Sequence, residues 1–340
     1  MSIKEQLEQL NTPPVIDWND DKTLKGRVNE DIIANMTDPL RTIGYPTQYD
    51  DLNRLVGGLR IGTSTMIVAG TGVGKSLFAL NLLVYLAGLG VKSFYFDLEN
   101  GLELSLKRIL MIKYKRPKSF FTDTNNTEVI LKMAKELENI SYMDHVELSN
   151  MVRETKKNDA DIPKKKIEVI TDIIRERVKN DYRIFLLDPL QSFVDSDARD
   201  EFHEQGVISQ ILSELAKELN ICILICHHLR KGGRTSEYVD KIEDASATKY
   251  IVPTEEGVKG SGKITEFATD VWGLVRLHAD PDPAKQSITL LKVLKNRDGQ
   301  KGNVKLFLDL DTYEFKPKFQ SPLTNKMRDI FGEALDYNNS

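Results

Sequence analysis

The sequence predicts an α/β fold with a mostly parallel central sheet, antiparallel strands at one edge and a short N-terminal arm. Three observations carry that expectation. From Leu52 onward, near-continuous apolar runs alternate with helical periods, as in parallel strands buried on both faces and joined by crossover helices. After residue 270, apolar runs follow one another on short links, as antiparallel neighbours do. The first 48 residues are polar, with no sustained apolar period.

Taken in order, residues 1–48 hold Pro13-Pro14, an acidic DWNDD and one short helical segment, EDIIANM at 30–36, and read as an arm or linker. Strands are expected at 64–69 (STMIVA), 92–97 (KSFYFD), 183–188 (RIFLLD) and 221–226 (ICILIC). Helices are expected near 75–88, 101–113, 128–139, 166–179 and 201–219. The run Lys164-Lys165-Lys166 reads as a solvated helix start. The stretch 230–265 is rich in Gly, Lys, Ser and Thr without a period and is expected as loops. DVWGLVRL, SITLLKVL and NVKLFLDL then give antiparallel edge strands separated by the turns PDPAKQ and KNRDGQKGN, and DTYEF adds a last strand. A short helix and an Asn-rich end are expected from Leu323. The resulting division is an arm at 1–48, a main domain at 49–320 and a tail at 321–340.

A chain of 340 residues can bury one sizeable core without staples. Its 40% hydrophobic and 29% charged content excludes collagen, a wholly disordered chain and a disulfide scaffold. With 47 basic and 51 acidic residues the net charge is −4, so attraction to a polyanion has to come from local basic loops. Cys222 and Cys226 share one apolar strand and suit a reducing compartment. MSIKEQLEQL lacks the apolar stretch of a signal peptide, and LFALNLLVYLAGLGV at 77–91 is too short to span a bilayer, so a cytoplasmic, non-membrane protein is expected.

The chemistry is concentrated in Ala69-Gly70-Thr71-Gly72-Val73-Gly74-Lys75-Ser76, between a strand and a helix. This is a phosphate-binding loop whose first position is Ala instead of Gly. Glycines let successive N–H groups turn inward around an anion, and the helix N-terminus adds positive potential. Gly70, Thr71, Gly72, Val73 and Gly74 would line the phosphates of ATP, and Lys75 would reach the β- and γ-phosphates. The Ser76 hydroxyl would ligate Mg²⁺, with Asp188 at the end of RIFLLD holding the metal directly or through water. Just past strand 92–97, FDLEN supplies two candidates for the base that activates water, Glu99 and Asp97. Period-2 alternation puts both on one face, so spacing does not separate them.

With these motifs and the strand that follows, residues 45 to 316 resemble the RecA-like motor of the superfamily 4 hexameric replicative helicases. The likeness is to DnaB-like, Twinkle-like and bacteriophage replicative helicases. That resemblance implies a RecA-like P-loop NTPase core, with Glu99 as catalytic base and Asp188 as the Walker B aspartate. It implies a γ-phosphate sensor in Cys226-His227-His228-Leu229-Arg230-Lys231, where His-Leu-basic matches His228 and leaves His227 one register away. VKGSGKITEFATD resembles the family's nucleotide-sensing channel loop, without its acidic lead-in. In LKVLKNRDG, Lys295 and Arg297 match a pair that reaches the neighbouring subunit's nucleotide, Arg297 as the finger. Arg230, Lys231, Arg234, Lys259 and Lys263 lie in Gly-containing loops that would track single-stranded DNA.

The function implied is an ATP-dependent ring helicase, a homo-oligomer and by resemblance a hexamer, moving 5′ to 3′ on single-stranded DNA and unwinding duplex at a replication fork. A primase or helicase loader would be a separate protein. Two competitors share the core: a RecA/RadA-like recombinase or mediator, and an ATP-switched assembly or loading protein without motor activity. The histidine pair and the late Lys-x-Arg favour the helicase.

Overall fold

The computed structural model describes residues 30–158, 165–194, 200–229, 235–240, 248–254, 262–277 and 283–317. The four expected core strands form, as β1 (Thr63–Ala69), β2 (Lys92–Asp97), β4 (Tyr182–Asp188) and β5 (Cys222–His228), numbered in chain order. They join β3 (Ile140–Asp144), β8 (Asp270–Arg276), β9 (Ile288–Asn296), β10 (Gly302–Leu308) and β11 (Phe315–Pro317). Together these make one nine-stranded sheet in the order β11-β10-β9-β8-β1-β5-β4-β2-β3. The block from β3 to β8 is parallel throughout. Strands β9, β10 and β11 then add antiparallel. The first strand after residue 270 therefore departs from expectation: β8 lies parallel to β1, and only its successors run antiparallel.

The helices are α1 (Glu30–Thr37), α2 (Pro39–Thr42), α3 (Asp50–Val56), α4 (Lys75–Gly88), α5 (Leu102–Tyr114), α6 (Thr127–Lys135), α7 (His145–Asn158), α8 (Lys166–Val178), α9 (Glu201–Leu219), α10 (Gly262–Phe267) and α11 (Pro283–Gln286). Helix α6 stops four residues before the expected 139. The limits of α9 follow from its caps. Asp200 accepts from the Phe202 and His203 amides at the start, and Asn220 ends the helix at φ 53°.

Alternation along the strands splits the core into two layers. Ile67, Tyr95, Ile184 and Leu224 face α4 and α5. Met66, Val68, Phe94, Phe185 and Ile223 face α8 and α9. Within the first layer Phe78 of α4 is fully buried, stacked on Tyr49 at 5.6 Å and edge-on to Phe315 at 5.6 Å and Trp272 at 6.5 Å. This cluster ties the phosphate-loop helix to α3's N-terminus, β8 and β11.

Other expectations need correction. The stretch 230–265 is not all loop: β6 (Thr235–Asp240) pairs antiparallel with β7 (Thr248–Pro253), and α10 follows. The last strand is Phe315–Pro317, later than DTYEF, because Asp309 organises 309–312 into a turn by accepting from the Asp311 and Thr312 amides. Lys166 is not a solvated start, since its Nζ donates to Ser192 O at 3.2 Å and Val194 O at 3.0 Å. The helix expected from Leu323 lies outside the described residues. No helix among the described residues is long and apolar enough to cross a membrane.

Replacing Phe78 by Ala should cost about 3–5 kcal/mol, the usual range for an emptied aromatic core site. A urea titration should show a lowered midpoint at unchanged slope, and an unmoved midpoint would contradict the central place given to this ring.

Candidate active site

Strands β1, β5, β4 and β2 end at the same sheet edge, with Ala69 opposite His228 and Asp97 opposite Asp188. The phosphate loop leaves β1 there and runs into α4. Gly72 at φ 77° and Gly74 at φ 109° hold left-handed conformations that side chains resist. Gly74 is the N-cap of α4, and no side chain caps that end. The first-turn amides of a helix end of this kind can receive an anion.

Lys75 and Asp188 meet below the loop. Lys75 is 5% exposed, and its Nζ lies 3.5 Å from Oδ1 of the fully buried Asp188. Asp188 Oδ2 accepts from the Tyr95 hydroxyl at 3.4 Å. Burial, reinforced by the charges of Asp188 and Asp97, pushes the Tyr95 phenol well up, so it stays a donor. Asp188 Oδ1 is buried and accepts no hydrogen bond from the described residues. A buried, incompletely satisfied carboxylate oxygen beside Lys75 suits a nucleotide-bound Mg²⁺ or its water, and Ser76 follows Lys75 in the chain.

The structure separates the two carboxylates that spacing left equal. Asp97 is fully buried and committed to its own turn. It accepts from the Asn100 amide at 2.9 Å, the Glu99 amide at 3.3 Å and the Gly101 amide at 3.4 Å. Ser105 and Tyr142 donate their hydroxyls to it as well. Glu99, raised on that turn, keeps its side chain half exposed and sets Oε2 3.9 Å from His228 Nε2. The adjacent histidines also differ. His227 is buried with its Nδ1 2.9 Å from Gln191 Nε2, whereas His228 reaches the site.

Arg276 was missed by sequence reasoning. It ends β8 at the same sheet edge, and its Nη2 donates to Gly72 O at 2.8 Å, bracing the phosphate loop. Burial pushes its pKa down from the usual arginine value. The available signal was a basic residue closing the apolar run DVWGLVRL.

Lys295 and Arg297 are not brought to this edge. Thr65 of β1 pairs with Asp270, which pairs with Asn296, whereas the phosphate loop begins beyond Ala69. Four strand residues separate those levels, about 13 Å at the usual rise. Lys295 Nζ donates to Thr265 O at 2.6 Å and Glu266 O at 2.8 Å, and Arg297 Nη2 also donates to Glu266 O. Ser209 and Ser213 donate to Ile264 O and Phe267 O, so side chains cap the last four carbonyls of α10. Lys263 falls on α10 and not in a loop. Arg230, Lys231, Arg234 and Lys259 lie outside the described residues.

The family described as the DnaB-like helicase C terminal domain matches residues 44–317. No curated protein matches the chain. Among solved structures, one described as an ATPase domain is similar at TM-score 0.65 and 19% identity, over 94% of this chain and 99% of that one. Another, described as a DnaB-like replicative helicase and its interactions with primase, is similar at TM-score 0.60 and 18% identity, over 85% of this chain and 66% of that one. At these identities the likeness to the two structures is one of fold.

The different surroundings of Asp97 and Glu99 give a direct test on stability. Asp97→Ala strips a buried turn of its shared acceptor and should cost about 3 kcal/mol or more in chemical unfolding. Glu99→Gln changes an exposed group and should stay within about 0.5 kcal/mol of wild type. Equal losses would contradict the division of roles.

Proposed function

Since the chain belongs to the family of the DnaB-like helicase C-terminal domain, a family of ATP-dependent replicative DNA helicases, we propose that it works as a homo-oligomeric ring, a hexamer, on single-stranded DNA. One observation supports this reading: a single chain holds its phosphate loop and its Lys295–Arg297 pair at opposite ends of the strands of one sheet. A complete site then needs the loop of one subunit and the finger of the next.

In that arrangement Gly70 to Gly74 and the first turn of α4 hold the ATP phosphates, and Lys75 neutralises the β- and γ-oxygens. Ser76, and Asp188 directly or through water, would hold a Mg²⁺ ion, which would supply positive charge to offset the charge developing on the phosphate. Glu99 orients the attacking water and accepts its proton. His228, 3.9 Å from Glu99, senses the γ-phosphate at the start of the segment leading to the basic residues. Lys295 and Arg297 serve the neighbouring subunit's nucleotide.

Residues 1–48 form the arm, 49–320 the motor and 321–340 a tail. Helix α1 exposes Ile32, Ile33 and Met36, an apolar face that would seat on an adjacent subunit. Arg230, Lys231, Arg234, Lys259 and Lys263 contact the DNA backbone, a cytoplasmic replication fork is the place of action, and a separate primase or loader is the partner.

Unwinding of a forked duplex with ATP tests the function, and mixed rings test the shared site. Lys75→Ala should abolish hydrolysis, and Arg297→Ala should lower it by roughly 10³ or more while nucleotide still binds. Co-assembly of the two inactive variants should restore some ATPase activity, because some interfaces pair an intact loop with an intact finger. No rescue in rings shown by native mass to be mixed would place the finger in cis or remove its role.

A further inference from the structure

The hairpin tip that carries Arg297 is tied to its own subunit by a residue far away in sequence. We infer that Arg60 is a positioning residue for the arginine finger, a reading that rests on the proposed action of Arg297 in trans.

Arg60 is only 7% exposed, in the GGLRIG segment between α3 and β1. Its backbone is pinned from several directions. Tyr45 and Leu59 exchange amide hydrogen bonds at 2.9 and 2.8 Å, Ile61 N donates to Leu40 O at 3.0 Å, and Thr63 Oγ1 donates to Arg60 O at 2.7 Å. From this fixed base the guanidinium reaches two carboxylates. Nη1 donates to Asp298 Oδ2 at 2.9 Å, and Nη2 lies 3.6 Å from Asp270 Oδ2.

The two acids are unlike. Asp270 is buried at the head of β8, and burial pushes its pKa up to about 6 against the opposing pull of Arg60. The Asp298 side chain is 62% exposed and directly follows Arg297 in the chain. A buried cation that grips an exposed carboxylate at a hairpin tip does more than fill space. Replacing a buried ion pair with apolar side chains is often neutral for stability, but an apolar residue here could not hold Asp298.

The rest of the tip is seated on the same side. Asn296 Nδ2 and the Gln300 amide both donate to Leu55 O, at 3.0 and 3.2 Å. A Cβ on Gly299 would stand 2.7 Å from that carbonyl oxygen, and one on Gly302 would stand 2.7 Å from Leu55 Cδ2. Arg297 itself is exposed and rests on the Glu266 carbonyl, a neutral partner it can exchange for a phosphate. The tip is therefore held firmly while the finger's end is left to move. Charge stabilisation in a transition state depends on such placement, and a displacement of about 1 Å can cost roughly 10²-fold in rate.

The test uses the full-length ring, a fluorescent ATP analogue for binding and steady-state ATP turnover. Asp298→Asn, an exposed change, should leave assembly and nucleotide binding as in wild type and lower turnover about tenfold or more. Arg60→Met should act in the same direction and further. Either variant mixed with Lys75→Ala should regain activity, because the Lys75→Ala chain lends a well-placed finger. Neither should be rescued by Arg297→Ala. A fault confined to folding or to the variant's own phosphate loop would not give that one-sided pattern.

Wild-type turnover in Asp298→Asn would overturn the inference. So would failure of Asp298→Asn to complement Lys75→Ala in rings where Arg297→Ala does complement it, and this arm stands even if Arg60→Met does not fold. If Arg297→Ala fails to complement Lys75→Ala, the trans finger itself falls and takes the role of Arg60 with it.

Discussion

Parallel strands end together, and the candidate site depends on that constraint. Because β1, β5, β4 and β2 run the same way, the phosphate loop, His228, Asp188 and the Glu99 turn emerge at one edge of the sheet. Helix α4 starts at that edge and points its uncapped amides back over it. The same rule keeps the proposed finger away: β8 is parallel to β1 and β9 antiparallel to β8, so β9 finishes at the opposite end of the strands. Strand direction alone thus divides the proposed catalytic groups between two surfaces of one subunit. Assembly can reunite them.

Electrostatics reinforces this division. At the nucleotide edge Lys75 and Asp188 are buried within 3.5 Å of each other, and Asp188 Oδ1 accepts no hydrogen bond from the described residues. Isolated charges in so dry a place are costly, and a hydrogen-bonded partner is needed to offset that cost. Bound nucleotide and Mg²⁺ would supply the missing contacts. At the far end of the strands Arg60 is paired with Asp270 and Asp298 within its own chain. One end is proposed to take a ligand, whereas at the other the buried cation is paired within the chain beside the proposed finger.

Much of this was legible in the sequence, for identifiable physical reasons. The four core strands are doubly buried and read as apolar runs, and α9 ends where its caps dictate. The phosphate loop is a local motif, so one contiguous segment revealed it. Features made by distant residues stayed hidden. Strand β3 is a half-buried edge strand with no clear alternation, and α7 is too polar to show an apolar stripe. Spacing left Asp97 and Glu99 equal, and only the amides and hydroxyls gathered around Asp97 set them apart. Arg60 resembles any surface arginine until Asp270 and Asp298, more than 200 positions later in the chain, are folded against it.

The central claim is that no single subunit contains a complete site. Its most direct measurement is ATP turnover per chain as a function of protein concentration, with the oligomer distribution recorded by mass on the same samples. The account predicts that turnover follows the assembled fraction and falls toward background where only monomers remain. Turnover per chain that stays constant through the dissociation range would contradict it.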